Sequence, residues 1–368
     1  MKLTIVQPGL GVASETFLRA HAELLPFDTT VVHFDGSLPC VNHNPILSQS
    51  LPNRAYRKLK RELAGRAWDW EVTEALVKAF KAHAEVVLAE FGPIGVRCCE
   101  AARLADVPLV VHFHGFDASI YNVIEQHKEG YKKLFQQSSV IIAVSNKMVY
   151  DLKKIGAPPE KIHLNPCGVD VKTFSGVEPD KNPPVLVSVG RFVEKKAPYL
   201  TIMAFAKALE KVPDAKMVML GGGALLGVSK DIASALGIID AIEFRGECTH
   251  DQVREAMLEA RGFVQHSIKA SDGDCEGTPV GVMEASSIGL PVIATAHAGI
   301  ADLVEHEKSG YLVEEKNVAG MAEKMINVLS DPALAKSMGN CGRERVKKYY
   351  SMQGSIDRLG AILTEALR

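Results

Sequence analysis

Short apolar runs rich in Val and Ile return along the whole chain, separated by longer amphipathic stretches, and this alternation constrains the fold most. In the first half the runs are Leu3–Gln7, Thr30–Phe34, Glu85–Ala89, Pro108–Phe113, Val140–Val144 and Lys161–Asn165. In the second half they are Val185–Val189, Lys216–Leu220, Ile242–Arg245, Gly262–His266, Pro291–Ala294 and Tyr311–Val313. Near-continuous apolarity of this kind belongs to strands covered on both faces, as in parallel sheets. Stretches such as Ala197–Lys211, Asp251–Ala260 and Val318–Leu329 supply the crossover helices, with Thr249 as N-cap of the second. Repeated βαβ units make this an α/β protein.

With 368 residues, 47% of them hydrophobic, the chain is long enough for two cores. The polar, Pro-rich run Ser175–Pro184 breaks the alternation and reads as an interdomain linker. The expected division is a first domain over 1–172, a linker over 173–184 and a second domain over 185–349. The tail from Tyr350 is an amphipathic helix whose stripe of Ile356, Leu359, Ile362 and Leu363 needs a partner; the pattern leaves open which domain supplies it.

Formal charge is nearly balanced at −2, which argues against a nucleic-acid partner. Seven scattered cysteines form no C-x-x-C pair, so neither a zinc site nor a disulfide framework is suggested. No segment reaches the roughly 20 apolar residues of a membrane-spanning helix, and the opening MKLTIVQPGL reads as a strand rather than a signal peptide. A reduced, cytoplasmic protein is expected.

The most informative stretch is DGDCEGTPVGVMEASSIGLPVIAT, from Asp272 to Thr295. Glu276 and Glu284, with seven residues between them, flank a Gly277-Thr278-Pro279-Val280 turn and the opening of a helix that stops at Gly289. Pro279 suits the first helical turn. Free N–H groups at such a helix start favour a phosphate. Carboxylates on either side can accept hydrogen bonds from hydroxyls, so the combination fits a nucleotide sugar better than a bare phosphate. The rival reading is that glutamates near a helix start merely favour the dipole. Upstream, a strand ends in Gly190-Arg191 and runs into a loop with Lys195 and Lys196. Ligands in open α/β sheets bind at carboxyl ends of strands, where Arg191 can grip a diphosphate and a lysine can stand beside it. The Gly221-Gly222-Gly223 run reads as a simple strand-to-helix turn.

In the first half, Gly11 follows the first strand and offers amides to a phosphate or acceptor. His112 and His114 close the strand Pro108–Phe113 before Gly115 breaks it. An H-x-H metal pair shares a face only while a strand continues, so the expectation is no metal and a hydrogen-bonding or proton-carrying role for His114 near substrate. The basic stretch Arg54–Arg66, beside Trp68 and Trp70, reads as a peripheral contact with anionic lipid, a dock for a phosphorylated acceptor, or a solvated helix face.

Together these pieces resemble the GT4-type retaining glycosyltransferases of the GT-B fold. The resemblance covers nearly the whole chain and is strongest over SVGRFVEKKAP, GDCEGTPVGVMEASSIGLPVIAT and AGIADLVEHEKSGYLV. Ser14-Glu15-Thr16-Phe17 and HFHGFD look like the subgroup that builds exopolysaccharide or lipopolysaccharide oligosaccharides. The resemblance implies two Rossmann-like domains facing across a cleft, with the final helix crossing back to the first. It implies a nucleoside-diphosphate sugar as donor, a hydroxyl of a saccharide or lipid-linked glycan as acceptor, no cofactor and no metal. Arg191 and Lys196 would bind the donor diphosphate, with Gly190 beside them. Glu276 would contact the sugar hydroxyls and Glu284 the ribose. The segment Gly277, Thr278, Pro279 and Val280 would surround phosphates and sugar. His114 would meet the sugar from the opposite domain, and Gly11 would lie near phosphate and acceptor. Two departures stand out: Gly9-Leu10-Gly11-Val12 replaces a clean Gly-Gly pair, and Ala197 follows Lys196 where the family has glycine, with Lys195 a rival for the role. A sugar-nucleotide epimerase and a non-catalytic nucleotide-sugar-binding protein are the alternatives; a nicotinamide-dependent enzyme lacks its G-x-G-x-x-G.

Overall fold

A computed structural model describes residues 1–9, 16–36, 38–41, 44–47 and 66–368. The chain divides into two compact units. Unit 1 comprises Met1–Val144, Met148–Pro166 and Ser355–Arg368; unit 2 comprises Ser145–Lys147 and Cys167–Gly354.

Unit 1 is built on a sheet of β1 (Lys2–Gln7), β2 (Asp28–Asp35), β3 (Leu38–Val41), β4 (Asn44–Pro45), β5 (Val86–Glu90), β6 (Leu109–His112), β7 (Val140–Ala143) and β8 (Ile162–Leu164), in the order β4-β3-β2-β1-β5-β6-β7-β8. From β2 to β8 the pairings are parallel, and β1 and β5 to β7 are almost wholly buried, as their unbroken apolar runs require. The edge strand β4 and its neighbour β3 are antiparallel and were not legible in the sequence. Pro45 suits the edge, where the missing N–H is harmless, and with Pro39 it hides these strands from a reading based on apolar runs. Helix Gly92–Ala105 follows β5 directly. A Cβ on Gly92 would lie 2.3 Å from the Phe113 ring, so only glycine lets the helix start this close to β6. The end of the final helix, Met352–Glu365, belongs to this unit: the Ser355 hydroxyl donates to the Pro166 carbonyl, and Arg358 donates to the Asn165 side chain.

Unit 2 carries β9 (Val185–Val189), β10 (Lys216–Leu220), β11 (Ile242–Gly246), β12 (Gly262–Gln265), β13 (Val292–Thr295) and β14 (Gly310–Val313), all parallel, in the order β11-β10-β9-β12-β13-β14. Its core packs Leu186, Met217, Met219, Val264 and Ile293 of the sheet against Ile202, Phe205, Met321, Met325 and Val328 of two crossover helices. Thr249 caps helix His250–Glu259 in a reciprocal capping box with Gln252. Gly289, at φ 105°, ends helix Val280–Ile288 in the left-handed conformation. Pro279 stands one residue before that helix, in extended conformation, rather than in its first turn. The segment read as a linker is tied into unit 2: Phe174 and Val177 are buried, Asn182 donates to the carbonyls of Leu258 and Ala260, and Arg343 donates to the Val177 carbonyl.

In both sheets the parallel strands wind outward from a central pair, β1 and β5 in unit 1 and β9 and β12 in unit 2, and unit 1 adds the antiparallel β3 and β4. The crevice beyond the carboxyl ends of such a pair is where open α/β sheets bind ligands.

Candidate functional site

In unit 2, Gly190 and Arg191 leave the carboxyl end of β9. Gly221, at φ 137°, packs so closely on them that a Cβ there would lie 2.0 Å from the Gly190 carbonyl oxygen. Close approach to a neighbouring turn, not to a ligand, explains this glycine. Arg191 is exposed, and its guanidinium has no ion pair among the described residues. Lys196 Nζ lies 2.9 Å from Glu276 Oε1 and 3.3 Å from Gln265 Oε1, at the end of β12. Lys195 turns instead to Asp274, at 3.0 Å. The two lysines thus serve different acids. Ala197 follows with φ 36°, a conformation that costs a residue with a Cβ about 1–2 kcal/mol and that explains why glycine suits the position.

Glu276 is buried and heavily engaged. Its Oε1 also accepts from the Ser267 hydroxyl at 3.0 Å, and its backbone N–H donates to His297 Nε2 at 3.2 Å. His297 Nδ1 in turn lies 2.6 Å from Glu315 Oε1. Burial alone would raise the Glu276 carboxyl, but the charges of Lys196 and Lys195 outweigh it and bring it down to about 2. Glu284, equally buried, is pushed up to about 8 by that burial; its nearest basic group is His250 Nδ1, 3.5 Å away and half exposed. Between them, helix Val280–Ile288 starts without a side-chain cap. Its first N–H groups have no partner within the helix and favour an anion. A Cβ on Gly281 would be 3.3 Å from the Val189 carbonyl, which places this helix start against the end of β9. Thr278 Oγ1 accepts from the Cys167 N–H, and the Gly277 carbonyl lies against Gly299, where a Cβ would come within 2.0 Å.

Gln265, Ser267, His297 and Glu315 were missed in the sequence. Each stands at or just past the carboxyl end of β12, β13 or β14, so the strand-end rule that singled out Arg191 would have found them. A separate groove of about 770 Å³, lined by Asn182, Val185, Lys216 and Ile242, opens at the amino ends of β9, β10 and β11, away from these groups.

In unit 1, Gly11 lies outside the described residues, as does Arg54–Gly65 of the basic stretch. Trp70, which follows it, is exposed. His114 is described, and its side chain is only 4% exposed. Nε2 lies 2.7 Å from Glu90 Oε2; the ring stacks on Phe17 with centroids 4.3 Å apart, and Phe91 is at 4.8 Å. The backbone N–H groups of His114, Gly115 and Gly92 all point to the buried Asp117 carboxylate. The second oxygen of Glu90 is 2.7 Å from His21 Nδ1, and His112 Nδ1 lies 3.6 Å from the first. Glu90 is wholly buried. Burial would raise its carboxyl, yet the charge of His21 and the hydrogen bonds from His114 and His21 hold it well below the usual carboxylate range. His112 is also driven down, well below the usual imidazole range, chiefly by its own burial, which favours the neutral ring. Phe91, next in the chain, sits at φ 75°, a strained position for a bulky residue that costs on the order of 1–3 kcal/mol. His21, Glu90 and His112 each place one donor atom within 4.8 Å of the others. The 2.7 Å contact between Glu90 and His21 is a hydrogen bond; ligand atoms of a tetrahedral zinc site sit about 3.3 Å apart.

Among the described residues no helix is long and apolar enough to cross a membrane. Compared with known proteins, residues 172–345 match the family model described as glycosyl transferases group 1, and residues 9–173 match that of glycosyltransferase family 4. The chain is 32% identical to the putative colanic acid biosynthesis glycosyltransferase WcaL of Escherichia coli, over 77% of this chain and 71% of that protein. It is 28% identical to the amylovoran biosynthesis glycosyltransferase AmsK of Erwinia amylovora, over 76% and 70% of the two chains. Among solved structures, HepE of Anabaena in complex with UDP-glucose matches with a TM-score of 0.78 at 17% identity, over 99% of this chain and 100% of that one, which establishes the GT-B fold.

Proposed function

This chain belongs to glycosyltransferase family 4, and we propose that it moves a sugar from a nucleoside-diphosphate sugar to a hydroxyl of a saccharide or lipid-linked glycan, with retention at the anomeric carbon and without a metal ion. Membership decides for a glycosyltransferase over the epimerase and the non-catalytic binding protein. The observation that carries the finer reading is the meeting of Lys196 with the buried Glu276 carboxylate where β9 and β12 end, beside the uncapped start of helix Val280–Ile288.

In this reading Arg191, Lys196 and the amides from Gly277 to Val280 hold the diphosphate, with Thr278 and Pro279 shaping the turn. Glu276 accepts from hydroxyls of the transferred sugar and Glu284 from those of the ribose. His114 of unit 1 contacts the sugar. As the bond from the anomeric carbon to the phosphate oxygen breaks, its electron pair leaves with the diphosphate. The new bond forms from the acceptor oxygen on the same face, and the acceptor proton passes to that phosphate oxygen. Positive groups fixed where this negative charge develops lower the barrier without reorganising. The acids that would draw a divalent ion, Asp272 and Asp274, already have partners: Asp274 pairs with Lys195 of the loop after β9, and Asp272 accepts from the Asp274 N–H. The basic stretch Arg54–Arg66, with the exposed Trp70 beside it, is proposed to meet anionic lipid at the inner face of the membrane.

A thermal-shift panel of UDP-, GDP- and ADP-sugars, each with and without EDTA, tests the donor site. One nucleotide sugar is expected to raise Tm equally under both conditions, and NMR of the transfer product is expected to keep the donor's anomeric configuration. A shift that needs added metal sinks the metal-free reading, and an inverted anomer sinks retention.

A further inference from the structure

We propose that Glu90 is a positioning residue for the transfer, acting through His114. The proposal rests on the reading that His114 touches the sugar, and it adds what aims that imidazole.

Glu90 closes β5, one of the central pair of strands in unit 1, and its Cα pairs with that of His112 on β6. It thus stands at the carboxyl ends where a ligand crevice forms. One carboxylate oxygen takes His114 Nε2 and the other takes His21 Nδ1, both at 2.7 Å. With both oxygens engaged the carboxylate cannot turn. An ionised carboxylate only accepts, so Nε2 of His114 must carry a proton, which fixes how the ring is turned. The main chain on either side is fixed as well. The Asp117 carboxylate takes the His114 and Gly115 N–H groups, and Phe91 is held at φ 75° with its N–H on the His112 carbonyl.

Packing alone does not account for the arrangement. Replacing a buried ion-pair cluster by apolar side chains is commonly neutral or stabilising, and Val86, Val87, Leu88 and Ala89 show that this strand otherwise takes apolar residues. A local rule broken at the end of an otherwise apolar strand points to function.

The test uses the full chain and four proteins: wild type, Glu90→Gln, His114→Ala and the double variant. UDP-glucose, UDP-galactose, GDP-mannose and ADP-glucose serve as donors, with release of nucleoside diphosphate as the readout and the donor-induced Tm shift as control. Glu90→Gln is expected to lower kcat by about 10- to 100-fold, the range for groups that orient a functional side chain, with donor KM unchanged. In the His114→Ala background the same change should add no more than about twofold, because residues acting as one unit are not additive. Additive losses would make Glu90 merely structural and overturn the proposal. If His114→Ala itself leaves kcat intact, the role given to His114 fails first. If Glu90→Gln does not fold, Glu90→Asp keeps the charge but draws it back from both imidazoles, and its kcat should fall while donor binding stays. Independently of turnover, NMR of 15N-histidine-labelled protein should show the His114 proton on Nε2. A proton on Nδ1 alone, or a stoichiometric metal ion in the purified protein, overturns the proposal.

Discussion

Each unit sets a buried carboxylate near the carboxyl end of one of its central strands, Glu90 at the end of β5 and Glu276 in the loop after β12, and surrounds it differently. In unit 1, Glu90 is ringed by His21, His112 and His114; in unit 2, Glu276 faces Lys196, with Lys195 close by. Both carboxyls are held ionised against burial, so charge alone does not distinguish them. The partners do. A lysine is a compact, strongly hydrated charge suited to a phosphate, whereas an imidazole offers one donor and one acceptor whose arrangement depends on what holds it. One switch point is organised around fixed positive charge, the other around the orientation of a ring. Glu284 shows what happens when the partner is only a half-exposed imidazole 3.5 Å away: equally buried, it is pushed up to about 8.

The sharpest way to break this comparison is to remove a cation that no acid among the described residues engages. Arg191→Ala should lower kcat by about 100- to 1000-fold, worth up to about 4 kcal/mol, with little change in Tm because the side chain is exposed. A kcat within tenfold of wild type would show that the diphosphate is held elsewhere. Lys196→Met leaves Glu276 facing only the more distant Lys195, and unfolding in urea should register a loss of about 3 kcal/mol, the lower end for a broken buried pair. An unchanged midpoint would mean that Glu276 is protonated rather than paired.

The two glutamates around the helix start should titrate with opposite signs. The Glu276 carboxyl lies below its ordinary value, so its contribution to stability is present above about pH 4.5 and lost as pH falls towards 2. The Glu284 carboxyl lies above its ordinary value, so the folded chain holds a proton that the unfolded chain releases. Its contribution is lost as pH rises from about 4.5 to 8. Tm measured over pH 5 to 8 should therefore fall more steeply for the wild type than for Glu284→Gln; parallel curves would show that Glu284 is ionised throughout. Glu284→Ala should also abolish the Tm shift given by UDP or GDP. The smallest effect is expected at Ala197, where glycine removes a left-handed penalty and should stabilise the protein by about 1 kcal/mol in denaturant melts.

Most of the fold was legible because parallel strands buried on both faces leave an unbroken apolar run, and every strand of unit 2 lies within about a residue of such a run. What the sequence hid was short, edge-bound or long-range. Leu38–Val41 contains a proline and is held antiparallel between β2 and the two-residue β4. Glu90 follows Val86–Ala89 and looks like the residue after a strand; its partners stand 69 and 24 positions away, so no local pattern announces them. In unit 2, Glu276 and the Lys196 loop carry local signs, a Gly-Thr-Pro turn and a cluster of bases at a strand end. His297 and Glu315, which brace the Glu276 backbone, carry none beyond their place after a strand.

The end of helix Met352–Glu365 belongs with strands that begin at Lys2. Synthesis therefore delivers unit 1 in two instalments, separated by the whole of Cys167–Gly354. The Asn165 side chain and the surface around Leu25 and Phe27 near Gly360 wait uncovered until Ser355–Arg368 has been made. Unit 2, continuous apart from Ser145–Lys147, is free to close before the unit that was started first.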